Sequence, residues 1–241
     1  HERIHLETSS VLIRELPLRL VRRPVEWPRL HPSATPATAP SFPSTPADRD
    51  EPANEFRKIE GQSVTLGKPA DWPSYGWDNE YGRRETAIQP FEATRFLISN
   101  GEFHAFVVAG GYRERAYWSD AGWEWRAFRN VKWPTFWVLD GPTGLHRYRL
   151  RALFETVDLP WAWPVEVNYH EAKAYCAWRA ERDQTAYRLP SEAEHQSLRG
   201  KRQQEAPALG IASDPVMHAD GATLAREVGW NLNLAWSSSW P

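Results

Sequence analysis

An α+β fold is predicted for the body of this 241-residue chain, from about Phe56 onward, and three observations predict it. Short alternating apolar runs are broken by Gly and Pro, as strands in an irregular sheet are. Two segments between them carry helix start signals of the capping-box kind. The chain also holds 14 Trp, concentrated between Trp72 and Trp178, and so many large rings need a core or a ligand surface to cover them.

The elements follow in order. Residues 1–22, HERIHLETSSVLIRELPLRLVR, place Ile4, Val11, Leu12 and Glu15 at spacings that predict an amphipathic helix, ended by Pro17. From His31 to Pro52 the composition turns to Pro, Ala, Ser and Thr; its six prolines disfavour both helix and central strand, so 31–54 reads as a linker between domains. Strands are predicted at 63–66, 95–98, 135–139 and 165–167. A helix is predicted from Ser99, where Ser99 and Glu102 have capping-box spacing ahead of Phe103, Phe106 and Val107, and Gly110-Gly111 supplies the stop. A second starts at Asn168, with Glu171 at N3 and a face made of Ala172, Tyr175, Cys176 and Arg179. A third starts at Ser191. The run Trp77-Asp78-Asn79-Glu80 suits either a tight turn or contact with a charged substrate group, and it is assigned to neither.

Composition excludes several function classes. The formal net charge is −2 with no basic block, which argues against nucleic acid as a partner. No apolar run approaches the ~20 residues of a membrane span, and the start lacks a signal peptide's apolar stretch, so a cytoplasmic location is expected. Cys176 is the one cysteine, so neither an internal disulfide nor a Cys-x-x-Cys site is possible within the chain. With Ala174, Tyr175 and Trp178 around it on a predicted helix, it reads as core packing without a catalytic role. The chain has no initiating Met and opens inside a helical segment, so it is expected to be part of something longer.

The first seven residues carry the chemistry: His1-Glu2-Arg3-Ile4-His5-Leu6-Glu7. Chance gives about 0.26 His pairs at spacing four in such a composition, and requiring Glu two places on lowers this to about 0.02. On a helix His1 and His5 lie one turn apart on one face, a spacing that lets both imidazoles reach one metal ion. Glu7 falls roughly 200° around the axis from His5, which suits orientation of an imidazole or pairing with a neighbouring helix better than ligation. His170 reads as a surface or capping residue and His195 as a packing residue, and His31, His104, His146 and His218 carry no motif.

Three ordered segments resemble the signature of the formylglycine-generating-enzyme superfamily, also called sulfatase-modifying factors: FEATRFLISNGEFHAFVVAGGY (91–112), WPVEVNYHEAKAYCAWRA (163–180) and YRLPSEAEHQSLRG (187–200). The resemblance implies a C-type-lectin-like domain, here 55–241 and cut short at its C-terminus, in which the aromatic runs at 118–128 and 132–137 build a loop-rich core and border a substrate cleft. Formylglycine generation itself needs a copper-binding cysteine pair that this chain lacks. The branch that joins such a domain to a DinB-like helical bundle bearing His-x-x-x-His-x-Glu is that of the iron-dependent sulfoxide synthases of thiol-histidine biosynthesis. Residues 1–30 then resemble the last part of that bundle, with His1 and His5 as metal ligands for Fe(II) and a third histidine upstream. The runs at 7–17, 75–80 and 144–151 are most similar to the ovothiol branch, which implies L-cysteine, L-histidine and O2 as substrates. The ergothioneine branch, and a lectin-like binding module without catalysis, are the alternatives. The catalytic residues are unknown and are expected beyond residue 241; the chain alone is expected to be inactive.

Overall fold

The computed structural model describes residues 2–25, 53–71 and 76–198. The elements are α1 (Glu2–Glu15), β1 (Phe56–Ile59), β2 (Gln62–Leu66), β3 (Arg84–Ile88), β4 (Phe91–Thr94), α2 (Asn100–Val108), α3 (Asp120–Arg129), β5 (Trp137–Leu139), β6 (Tyr148–Arg151), β7 (Thr156–Asp158), α4 (Tyr169–Asp183) and α5 (Glu192–Leu198). Helix and sheet are mixed, as an α+β reading requires. No helix among the described residues is long and apolar enough to cross a membrane.

The chain divides into two compact units. In the smaller, within Glu55–Arg95 and the residues from Pro190 on, two antiparallel ribbons form, β1 with β4 (Phe56 opposite Thr94) and β2 with β3 (Val64 opposite Thr86). Ala193 of α5 closes a small core with Val64 and Ile88. That helix starts as its sequence requires, Ser191 Oγ accepting from the Glu194 N–H while the Glu194 carboxylate accepts from the Ser191 N–H. Residues Asp78–Glu80 form a turn of 3-10 helix, and the Glu80 carboxylate accepts from the Trp77 N–H.

The larger unit comprises residues 2–25, with α1, and residues 53–54 and 96–189 among those described. Its antiparallel meander β5-β6-β7 sets Trp137 opposite Leu150 and Leu150 opposite Val157. These side chains point the same way and meet α2 and α4 in an aromatic core of Phe103, Phe106, Tyr112, Trp118, Tyr148, Trp163, Tyr175 and Trp178. The rings meet edge-on or offset, Phe103 on Phe106 at 5.2 Å and Phe103 on Tyr175 at 5.3 Å, the arrangements a ring quadrupole favours.

Both capping boxes form. Ser99 Oγ accepts from the Glu102 N–H at 3.0 Å and Asn168 Oδ1 from the Glu171 N–H at 3.0 Å, each glutamate answering the cap's own N–H. Glu171 is also fully buried, where the Tyr112 hydroxyl donates to it at 2.5 Å. Burial pushes the Glu171 carboxyl up, against the two hydrogen bonds that favour its charged form, and pushes the Tyr112 phenol well up.

Three expectations are corrected. Residues 95–98 and 165–167 are not strands: β4 ends at Thr94, and Pro164, which has no N–H to give a ladder, limits the second segment to a single bridge with Ser99 and one bond from the Val165 N–H to the Ile98 carbonyl. The core face of α4 is Glu171, Ala174, Tyr175 and Trp178, one position back from the row read from sequence; Cys176 is half-buried. The run at 118–128 contains a helix, α3, that starts on Ser119 and stops at left-handed Asn130. Helix α2 ends as expected, with Gly110 at φ +83°.

Gly111 permits the turn that follows α2, because a Cβ there would overlap the Phe106 ring while its carbonyl accepts from Trp118 Nε1. Gly111→Ala is therefore expected to cost about 3 kcal/mol, the scale of overpacking in a closed core. Urea unfolding followed by tryptophan fluorescence measures it, and an unchanged midpoint would contradict the packing described.

Candidate metal helix and its anchorage

Helix α1 forms from a run of ordinary helix formers and stops where Pro17 removes a donor; the Leu16 N–H bonds to the Ile13 carbonyl as the last turn tightens. His1 lies outside the described residues, as do His31 and His218. His5 lies within α1 and is exposed. Of the face predicted to be apolar, Val11 and Leu12 are exposed, and among the described side chains of α1 the buried ones are Ser10 and Arg14, one turn apart. Nine positions separate His5 from Arg14, which puts them roughly 180° apart around the axis. The side of α1 that bears His5 is thus opposite the side that is anchored.

The anchor is built around Arg14, only 5% exposed. Its Nε donates to the Arg151 carbonyl at 2.9 Å, and its Nη1 and Nη2 donate to the two oxygens of Glu166 at 2.9 and 2.6 Å. The guanidinium plane lies 3.7 Å from the centre of the Phe136 ring. Beside it, Arg151 is buried and turned back on the carbonyls of Ala152 and Leu153. Burial, followed by the charge of Arg14, pulls the Arg151 guanidinium down from its ordinary range. Glu166 carries the carboxylate that pairs with Arg14.

Two other histidines of the larger unit pack against aromatic rings. His104, buried on α2, donates from Nε2 to the His146 carbonyl at 2.8 Å and meets the Trp161 ring edge-on at 5.1 Å. His170, in the first turn of α4, stacks on Trp125 with ring centres 6.0 Å apart. In the smaller unit His195 is exposed on α5, which corrects its reading as a packing residue: Ala193 and Glu194 are the buried positions there. Burial pushes the Cys176 thiol up, the reverse of what an activated thiolate needs.

A cavity of about 310 Å³ opens beside the start of α2, lined by Phe96, Leu97, Ser99, Glu102, Ala162 and Pro164 with Asn54. Its carboxylate, Glu102, is already engaged by Asn54 Nδ2, the Ser99 N–H and Arg179. The aromatic run thus supplies both core, through Trp118, and surface, through Phe128 at 88% exposed.

No three His, Cys, Asp or Glu side chains among the described residues come together as a metal site. His5 is exposed on the side of α1 opposite the anchor, and an imidazole is a donor that divalent transition metals accept.

An α+β unit with an aromatic core, two glutamate-closed helix caps and an appended helix defines a class, and residues 42–220 match the sulfatase-modifying factor enzyme 1-like domain. The chain belongs to that family. It is 39% identical over 127 residues to the hercynine oxygenase of Mycolicibacterium thermoresistibile, covering 52% of this chain and 25% of that protein. The hercynine oxygenase of Mycobacterium tuberculosis is 35% identical over 119 residues, covering 48% of this chain and 25% of that protein. The inactive C-alpha-formylglycine-generating enzyme 2 of Mus musculus is 30% identical over 135 residues, covering 49% of this chain and 39% of that protein. The chain thus spans about a quarter of the length of each of these two oxygenases.

Proposed function

We propose that this chain is part of a non-haem iron sulfoxide synthase that uses O2 to join the sulfur of L-cysteine to the imidazole of L-histidine, a 5-histidylcysteine sulfoxide synthase of ovothiol biosynthesis. The observation that carries the proposal is His-x-x-x-His-x-Glu at the start of a helix that precedes a domain related to oxygenases. His1 and His5 would hold Fe(II), with a third imidazole from an earlier helix. Imidazole suits Fe(II), and bound iron would supply the electron chemistry with O2 while leaving positions open for substrate. What this chain's residues do is hold: the Arg14 anchor seats α1, and the capped helices α2 and α4 keep the core beneath it rigid. In this reading 1–30 closes a DinB-like bundle, 31–54 is a linker, 55–241 is the family domain, and the enzyme works in the cytoplasm. Proteolysis of the longer polypeptide is then expected to cut first between 31 and 54; first cuts inside 91–189 would contradict that organisation.

A second reading is favoured by the relatives' printed name. If this chain's enzyme acts on hercynine, as hercynine oxygenases are named for doing, it belongs to the ergothioneine branch. Product analysis of the iron-loaded longer polypeptide, given L-cysteine under air with L-histidine or with hercynine, separates the two. Sulfoxide from L-histidine supports the ovothiol reading, and sulfoxide from hercynine alone overturns it.

A further inference from the structure

Among the described side chains of α1, Ser10 and Arg14 are the buried ones. At 14 residues this helix is marginal in water without tertiary support, and Val11 and Leu12 give it none, being exposed. Arg14 supplies the support from three directions. Phe136 precedes β5, the Arg151 carbonyl ends β6, and Glu166 stands in the segment that leads into α4. That segment is itself held on both sides. The Val165 N–H bonds to the Ile98 carbonyl, Pro164 bridges Ser99, and Asn168 caps α4. The two bonds from the guanidinium fork to the Glu166 carboxylate set a direction as well as a distance, which a point charge on a flexible stem would not do.

We propose that Arg14 is a positioning residue: through Glu166, the Arg151 carbonyl and Phe136 it sets the rotation and the axial position of α1, and so the angle at which His5 is presented. The inference rests on the reading of His5 as an iron ligand. His5 stands about 13 Å along the helix from Arg14 by the 1.5 Å rise, so a rigid α1 that turns about its anchor swings the ligand face by the same angle. Arg14 acts through the helix, at a distance from any reacting atom. Its charge is paired with one carboxylate, and neutralising Glu166 would leave the buried Arg14 without that counter-charge beside a second buried guanidinium, Arg151.

Two measurements test this. In the 241-residue chain, amide hydrogen exchange is compared between wild type, Arg14→Lys and Glu166→Gln. Residues 8–15 are expected to exchange about tenfold faster or more in both variants while α4 keeps its wild-type rates, the signature of local rather than global opening. Unchanged exchange in α1 overturns the clamp. In the longer polypeptide that the functional reading calls for, both variants are expected to keep their iron content while kcat/KM for sulfoxide formation falls about tenfold or more, as misplacement from a remote site does. The double variant should lose no more than the worse single one, because both changes break one joint. If kcat/KM stays at the wild-type value with iron content and folded fraction matched, α1 is merely fastened there and the positioning role is overturned. Failure of the underlying reading looks different: His5→Ala would then keep its iron whatever stands at position 14.

Discussion

Trp137→Ala is expected to leave the larger unit largely unfolded at physiological temperature. The side chain is 3% exposed and packs edge-on against Phe103 at 6.4 Å and tilted against Tyr148 at 5.2 Å. Truncating a Trp in such a core costs about 3–5 kcal/mol from lost transfer energy and the cavity left behind. Trp137 Nε1 also donates to Asn100 Oδ1 at 3.2 Å, and that amide, 2% exposed, donates in turn to the Pro160 carbonyl at 2.8 Å. Removing the ring therefore also strands a buried acceptor, worth about 1–3 kcal/mol. Against a total stability of about 5–15 kcal/mol these losses leave little. Trp137→Phe separates the two contributions by keeping most of the ring and losing the donor, and it is expected to cost about 1–3 kcal/mol. Urea titrations of both variants check the pair, and a midpoint for Trp137→Ala within error of wild type would contradict the core described.

The consequence reaches past stability, because α2, α4 and the segment bearing Glu166 all rest on that core. Asn100 ties the start of α2 to Pro160 through its side chain and to Trp163 through its own N–H at 2.7 Å. The same stretch of chain then carries Glu166 and ends at the Asn168 cap. A collapse around Trp137 would loosen the anchor of α1 along with the fold.

What the sequence revealed, it revealed where the chemistry is local. Ser99 with Glu102, Asn168 with Glu171 and Ser191 with Glu194 are pairs three residues apart whose hydrogen bonds close within one turn, so spacing alone finds them. Helix α3 escaped because Ser119 is followed at N3 by Gly122 instead of Glu or Gln, and because rings fall on several of its faces. The strand at 165–167 was a plausible alternation, but the Pro at 164 outweighed it.

The candidate site divides the same way. His1 and His5 are legible because two ligands on one helix face have a fixed spacing. The Arg14 anchor was not, since its partners lie 137 and 152 residues away and a lone Arg among apolar residues reads as a solvated charge. A signal was present in hindsight: the exposed Val11 and Leu12 form too short a row to bury the helix, so something else had to.

The central claim is that His5 is an iron ligand of a sulfoxide synthase, and His5→Ala in the longer polypeptide tests it most directly. The measurement is iron per polypeptide and sulfoxide product, with L-cysteine and L-histidine or hercynine supplied under air. Loss of one of three imidazoles is expected to strip the iron and abolish product, while the melting temperature of the family domain stays near wild type, because His5 is exposed and takes no part in the core. Cys176→Ala is the control: a half-buried thiol raised by burial is packing, so that variant is expected to keep both iron and product. Full iron content and wild-type sulfoxide formation in His5→Ala would contradict the metal role of His1 and His5, and with it the class of enzyme proposed here.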